Sequence, residues 1–402
     1  MMAASGGASI IEGVPPALLP IFLIVVVDIL GMTIMYPLLP FYAEHYGAGP
    51  IGVGMLISVY ALCQLFGGPL LGRLSDQTGR KPLLLFSQIG TLLGFMLLAM
   101  ANSLWLIFLS RIVDGFTAGN ISLAQAYIAD VTKPEERTKS FAVIGIAFGV
   151  GFLIGPAISG FLAQFSYRYP IYAAMALSTT SIVATATLLP GRKPSLEGAG
   201  ERRLSVLAWG TYTEFFRRPT LSPLLWQFFA FIFCFSTFMA GFPLFAERRF
   251  TWDGRAFGPK EVGYIYAYVG VLGVILQGGL IGRLAKAMGD RKLVTSGLLV
   301  SAVGFIALAW TFGIQNLLIV TALIAFGTGV VRPAITSLIT QRIGKWEQGT
   351  VLGLTQSLQS VAAIVAPFFA GLLIEHGQLH LWAITAAVSA GIGLLLQPSQ
   401  QA

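Results

Sequence analysis

Charged side chains are scarce in this sequence. Asp, Glu, Lys and Arg together supply 10% of its 402 residues, against roughly 25% in soluble domains. So few charges cannot cover a water-facing surface, which excludes a cytosolic enzyme and a disordered chain. Cysteine occurs only as Cys63 and Cys234, each inside an apolar run. Two such residues give neither a metal-ligand spacing nor the paired framework of a small secreted domain. The three histidines, His45, His376 and His380, fall at the ends of apolar runs, and no enzymatic constellation forms around them. The Gly-x-x-x-x-Gly-Lys-Ser/Thr loop that cradles ATP phosphates is missing. Residues 1–16 contain no Lys or Arg, so a removable signal peptide with its basic leading segment is not expected.

What is present is apolar length. Hydrophobic residues make up 55% of the chain and glycine contributes 47 positions; mean hydropathy is +0.78. A membrane-crossing helix needs about 20 mainly apolar residues. Twelve such runs lie near 17–42, 52–72, 83–101, 104–129, 140–163, 170–189, 221–245, 261–284, 293–312, 317–340, 349–374 and 380–397. They are continuous rather than alternating, which excludes an outer-membrane barrel. The expected fold class is therefore an all-α membrane protein of twelve transmembrane helices in two six-helix bundles.

The basic residues are distributed unevenly between the loops. One side holds Arg73, Arg80, Lys81, Lys133, Arg137, Lys139, Arg192, Lys193, Arg202, Arg203, Arg217, Arg218, Arg283, Lys286, Arg291, Lys292, Arg342 and Lys345. The other side holds Arg168, Arg248, Arg249, Arg255 and Lys260, while Arg111 and Arg332 fall inside spans. By the positive-inside rule the first side is cytoplasmic, with both termini. The formal net charge of +8 is then an orientation signal, and no nucleic-acid partner is expected. Residues 190–220 read as a cytoplasmic linker between an N-terminal half, 1–189, and a C-terminal half, 221–402. The mixture of apolar and charged residues from Glu201 to Arg218 suits a helix lying on the membrane surface.

The halves repeat each other. Gly72-Arg-Leu-Ser-Asp-Gln-Thr-Gly-Arg-Lys after span 2 matches Gly282-Arg-Leu-Ala-Lys-Ala-Met-Gly-Asp-Arg after span 8. Gly155-Pro156 and Gly160 in span 5 match Ala366-Pro367 and Gly371 in span 11. Pro40-Phe-Tyr-Ala-Glu44 matches Pro243-Leu-Phe-Ala-Glu247. Three matches in one order indicate duplication, with a pseudo-two-fold axis and a site between the halves.

Gly72-Arg-Leu-Ser-Asp76-Gln-Thr-Gly79-Arg80-Lys81-Pro82 resembles the signature loop of the major facilitator superfamily. Arg111-Ile-Val-Asp-Gly115 resembles its helix-4 motif, and Gly145 through Gly160 its helix-5 antiporter motif. Within the superfamily the tetracycline/proton antiporter branch is similar along nearly the whole chain. The resemblance implies proton-coupled export of small amphipathic or anionic compounds by alternating access in the cell membrane. It implies no cofactor beyond a proton gradient, no metal, a lipid bilayer as surroundings and a monomer. A lipid or lysolipid flippase and a proton-coupled importer of organic anions share the fold; a non-transporting receptor leaves the motifs without a purpose.

The resemblance also assigns residues. Gly72, Asp76, Gly79, Arg80 and Asp130 would form a cytoplasmic gate, with Gly72 allowing spans 2 and 11 to pack closely. The helix-5 motif comprises Gly145, Gly149, Gly151, Gly155, Pro156 and Gly160; its first four glycines would give a small-residue face, and Pro156 can bend the helix. That face serves either close packing alone or exchange. Ionisable residues inside spans are costly and mark cavities or partners, which singles out Asp28, Arg111, Asp114 and Arg332. Asp28, Arg111 and Asp114 are the candidates for proton coupling. Asp114 shares a helix face with Arg111 and is either its partner or a second proton carrier. Arg332 either holds an anionic group of the cargo or pairs with Asp28 or Asp114. Asp28, Gln64, Asn120, Gln227 and Gln356 complete the expected substrate-binding set. Where the tetracycline exporters carry a histidine in helix 8 and an acid in helix 9, this chain has Gly273 and Ser301. These departures point away from tetracycline–metal recognition and toward anionic or amphipathic cargo.

Overall fold

The computed structural model describes residues 19–132, 137–190, 209–344 and 347–396. The helices of the first six spans are α1 (Leu19–His45), α2 (Pro50–Thr78), α3 (Arg80–Ala99), α4 (Leu104–Thr117), α5 (Asn120–Val131), α6 (Arg137–Ala163) and α7 (Arg168–Leu188). A short helix, α8 (Trp209–Arg217), precedes α9 (Ser222–Arg249). The two-residue strands β1 (Thr251–Trp252) and β2 (Arg255–Ala256) follow. Then come α10 (Pro259–Ile275), a π-helical turn at Leu276–Leu280, α11 (Ile281–Met288), α12 (Asp290–Ala309), α13 (Ile314–Gln341), α14 (Gln348–Glu375) and α15 (Leu379–Leu395). Eleven of the resulting helical segments are long and apolar enough to cross a bilayer, and α15 is a shorter apolar helix of 17 residues.

The helices run past the apolar stretches because their polar ends continue the hydrogen-bond ladder at the membrane surfaces. Proline occupies the first turn of α2, α9 and α10, where its missing N–H is not needed. Two spans are not single α-helices. Span 4 breaks between α4 and α5 at Ala118-Gly119, where the Gly119 N–H is taken by the Ser87 hydroxyl at 2.9 Å. Span 8 changes to π geometry at Leu276-Gln-Gly-Gly-Leu280. The β1–β2 hairpin has Asp253 and Gly254 at φ 49° and 74°. Both central residues of that turn need positive φ, which an Asp-Gly pair accommodates.

Helices α1–α7 pack chiefly with one another, as do α9–α15. The two sets meet along α2–α14 and α6–α10. Both seams rest on glycine. A Cβ on Gly54 would press on the Pro367 carbonyl, and one on Gly371 on the Pro50 carbonyl. In the second seam Gly160 and Gly263 face each other, and a Cβ on Gly270 would stand 2.6 Å from the Phe152 carbonyl oxygen. All these contacts belong to the end opposite the basic loops. That end is further tied by Ser58 Oγ donating to the Ile364 carbonyl (2.6 Å), Ile51 N–H donating to Glu375 (2.8 Å) and the Arg248–Glu44 ion pair (2.6 Å). At the basic end the seams part: a Cβ on Gly72, Gly145, Gly282 or Gly353 would meet no atom of another helix within 4 Å. The space between the helix sets is closed opposite the basic loops and open toward them.

The helix-5 glycines do not form one face. Gly151 and Gly155 lie against Ile29 and Thr33 of α1, whose hydroxyl donates to the Gly151 carbonyl at 2.9 Å. Gly149, Pro156 and Gly160 lie against α10. At 3.6 residues per turn, positions 149 and 151 point about 200° apart. One helix therefore separates the two contacts, and Gly145 takes part in neither.

Candidate functional site

The site begins on α4. Arg111 and Asp114, three residues apart, are 5% and 6% exposed, and Arg111 Nη1 lies 3.3 Å from Asp114 Oδ2. The Arg111 guanidinium also sits 5.9 Å from the centre of the Tyr60 ring on α2, a cation–π arrangement. Tyr60 is within electrostatic reach of Tyr36 on α1, and Tyr36 of Arg332 on α13. The Tyr36 ring stacks on Phe152 of α6 at 5.7 Å, and Phe152 on Phe148 at 6.4 Å. Arg332 donates from Nη2 to Gln359 Oε1 of α14 at 3.0 Å. Polar and aromatic side chains thus run from Asp114 through Arg111, Tyr60 and Tyr36 to Arg332 and Gln359, across the space between the helix sets.

The charge along this line is unbalanced. Arg111 and Asp114 neutralise each other, whereas among the described residues no carboxylate lies within ion-pair distance of Arg332. Arg332 is exposed, so the opening toward the basic end reaches it. Of the two alternatives for Arg332, pairing with Asp28 or Asp114 is not what the structure has; its partner is an amide. A guanidinium stays charged and keeps free donors when one nitrogen binds an amide oxygen.

Asp28 faces elsewhere. Its half-buried carboxylate accepts from Gln88 Nε2 of α3 (3.5 Å) and from the Ser181 hydroxyl of α7, and Gln88 also donates to Ser181 (2.8 Å). It lies among spans 1, 3 and 6 and joins neither arginine. Of the expected polar set, Gln227 is 2% exposed and donates to the Gly393 carbonyl at 2.8 Å, a structural bond between α9 and α15. Asn120 is half-buried at the start of α5. Gln64 and Gln356 are exposed. Gly273 has open space around it, and Ser301 Oγ donates to the Gly297 carbonyl.

The signature loop keeps its internal contacts with the seam open. Arg80 Nε is 2.8 Å from Asp130 Oδ2, and Arg80 also pairs with Asp76, whose side chain is 52% exposed. Gly79 turns the chain at φ 99°, a conformation that favours glycine. The second repeat answers with Gly289 at φ 77° and with Asp290, which accepts from Ser337 (2.6 Å) and Gln341 (3.0 Å). Asp290 and Gln341 correspond to Arg80 and Asp130, with the basic partner replaced by an acid. The expected close packing of Gly72 against span 11 is absent in this conformation.

Sequence reasoning did not single out Gln88, Ser181, Tyr60 or Phe152. Gln88 carried a signal, since a glutamine in the middle of an apolar run must find a partner. The aromatic residues carried none, because aromatics are common throughout the spans.

The comparisons with known proteins agree with this architecture. The Major Facilitator Superfamily profile matches residues 21–281 and 276–398. The class E tetracycline resistance protein of Escherichia coli is 32% identical over 347 residues, 86% of this chain and 84% of that protein. The quinolone resistance protein NorA of Staphylococcus aureus is 25% identical over 92% of this chain and 93% of its own length. Among solved structures, the human organic anion transporter MFSD10 superposes with a TM-score of 0.72 at 23% identity, covering 95% of this chain and 100% of that one. A POT family transporter bound to 5-aminolevulinic acid superposes at 0.78 with 15% identity, covering 96% of each chain. These last two likenesses are likenesses of fold. The chain belongs to the Major Facilitator Superfamily: it is a multi-pass membrane transporter, not an enzyme, and it is related to drug-resistance proteins.

Proposed function

We propose that this protein is a proton-coupled antiporter of the cell membrane. It exports small organic anions or anionic amphipaths and takes up protons in return. The observation that carries the reading is Arg332: a cation open to the space between the halves, with an amide rather than a carboxylate for a partner, beside the Tyr36–Phe152 stack. A flat anionic molecule matches it, its charge on the guanidinium and its ring on the aromatic pair. The relatives that bear the names of tetracycline and quinolone resistance support export. The basic loops support a cytoplasmic position for the open end and for both termini. Residues 1–189 and 221–402 act as the two moving halves, joined by 190–220. Of that linker, α8 is described and residues 191–208 lie outside the described residues. No cofactor is required, because the proton gradient supplies the energy, and a single chain contains the whole path.

The test uses vesicles loaded with an acidic buffer and a pH-sensitive dye. A naphthalene sulfonate, anionic at every pH used, should enter while the interior pH rises. A naphthalene quaternary ammonium of similar size should not enter. Equal transport of the two probes, or sulfonate entry without a change of pH, would remove the anion-for-proton reading.

A further inference from the structure

The two halves of this repeat differ in one respect that their sequences do not announce. Among the described residues, the buried side-chain atoms with no hydrogen-bond partner are Gln88 Oε1, Arg111 Nη2, Asn120 Oδ1, Thr132 Oγ1, Ser159 Oγ and Thr185 Oγ1. All belong to the first six spans. The last six bury polar side chains as well, but these are satisfied: Gln227, Thr237, Ser301, Thr321, Thr328 and Ser389 each donate to a backbone carbonyl. An unmet buried polar atom is unfavourable, and internal water is the usual remedy.

Three of the six, on Gln88, Thr185 and Arg111, connect to one stretch of α3, while Asn120, Thr132 and Ser159 belong to α5, its C-cap and α6. Gln88, 0% exposed, uses its nitrogen on Asp28 and Ser181 and leaves its oxygen free. Thr185, also fully buried, lies one turn from Ser181 on α7. Thr91, three residues from Gln88, hydrogen-bonds the Asp114 carboxylate, and the free Arg111 Nη2 belongs to the arginine that pairs with Asp114. Asp28 and Asp114 therefore attach to the same face of α3, one through Gln88 and the other through Thr91.

We propose that the first six spans contain a hydrated proton site built on the Gln88–Thr91 turn of α3, through which Asp28 and Asp114 exchange a proton. The proton leaves a carboxyl oxygen of Asp28 for a water, and that water gives one of its own protons to the Asp114 carboxylate. One O–H bond breaks and one forms at each step, and nothing is consumed. The ionisable groups facing Asp114 are Arg111 on α4 and Tyr60 on α2. Asp28 is faced by the neutral Gln88 on α3 and Ser181 on α7. The proton would then pass from Asp28, behind span 1, to Asp114, at the opposite end of the polar line from the cargo's Arg332. The transport role of this site rests on the antiport reading; its water content does not.

Two experiments on the full-length protein test it. X-ray radiolysis in 18O-labelled water marks buried side chains that sit beside bound water. Ile29, Leu84 and Phe95 should be labelled despite their burial, and Leu298, Phe305 and Ile324 should stay unlabelled. Equal protection of the two groups overturns the hydrated site whatever the protein transports. In vesicles, Gln88→Leu and, separately, Thr185→Val should slow pH-driven entry of the naphthalene sulfonate by about 100-fold, the low end for loss of a positioned proton-transfer group. Exchange of the probe at equal pH on both sides should stay near wild type, as it should for the control Ser301→Ala. Unchanged pH-driven entry, or an equal fall in both modes, refutes the relay. Wild-type protein that moves no protons would remove the antiport reading, and the labelling would still decide the water.

Discussion

The glycine seams make opposite predictions for two substitutions that look alike in sequence. Gly54 and Gly72 both lie on α2, 18 residues apart. In this conformation a Cβ at position 54 would overlap the Pro367 carbonyl and stand 3.2 Å from the Phe368 Cα, whereas a Cβ at 72 meets nothing within 4 Å. Gly54→Ala must therefore push α2 from α14 at the closed end. Overpacking of a well-packed contact costs about 1–3 kcal/mol. That amount changes a two-state equilibrium by roughly 5- to 150-fold. The closed contact is a backbone-to-backbone approach, so no side chain can rotate away, and the larger part of the range applies. Gly72→Val adds no strain here and adds strain only in a conformation that brings the basic end of α2 against α14. It should hold the molecule in the present conformation.

Distance measurements between spin labels check both signs. Labels at exposed positions 164 and 253 report the closed end, and labels at 77 and 288 report the basic end, in a chain with Cys63 and Cys234 replaced by serine. Gly54→Ala should lengthen the 164–253 distance and shorten the 77–288 distance in most molecules. Gly72→Val should leave only the distribution with a short 164–253 distance. If both substitutions move the labels in the same direction, or if Gly54→Ala moves neither pair, the seams do not control the opening.

Three further outcomes follow from the site and the linker. Arg332→Gln should weaken binding of the naphthalene sulfonate by roughly 10- to 150-fold, because a hydrogen bond to a charged group is worth about 1.5–3 kcal/mol. Titration of the purified variant, with an uncharged naphthalene sulfonamide as the reference, measures it; equal losses for both ligands would count against charge recognition. Arg248→Ala removes the cation that bridges Glu44 of α1 and Glu247 of α9 and should raise the modification rate of a cysteine placed at Ser58, behind the closed end. Arg218 hydrogen-bonds Glu347 at 2.8 and 3.0 Å and holds its carboxyl below the usual glutamate range. The tie from the residue that follows α8 to the N-cap of α14 is therefore fully present above the ordinary glutamate pKa and is lost as pH falls through the lowered value. The melting-temperature gap between wild type and Glu347→Gln should be constant from pH 8 to 6 and shrink below about pH 4.

Much of this architecture was legible in the order of residues, for reasons that differ from element to element. Span number and the duplicated loops follow from apolar length and from motifs, and both survive small changes in geometry. The break at Ala118-Gly119 and the π turn at Leu276–Leu280 left only glycines as traces, and many other glycines here lie inside regular helices. The helix-5 glycines were countable, but their division between α1 and α10 depends on helix rotation: Gly149 and Gly151 are neighbours in sequence and nearly opposite in space. Gly72 illustrates a different limit. Its lack of a side chain is readable, but a Cβ there meets nothing within 4 Å in this structure, so the expected contact is not made.

Asp28 and Arg332 show where composition stops being informative. Each is a rare charge inside an apolar run, and by the price of burying charge each had to face a cavity or a partner. That argument holds for both, yet it does not choose between the two outcomes. Asp28 obtained neutral partners, Gln88 and Ser181, at the back of its half; Arg332 obtained one amide and an opening. The difference lies in what the neighbouring helices offer at the same depth. Span 3 carries a glutamine whose amide nitrogen donates to a carboxylate and a hydroxyl together. Opposite Arg332, span 1 presents Tyr36, whose ring is engaged with Phe152. An acid in that place would have cancelled the arginine and closed the site to anions. The aromatic residue leaves the charge available, and the specificity argued for this transporter turns on that one position of α1.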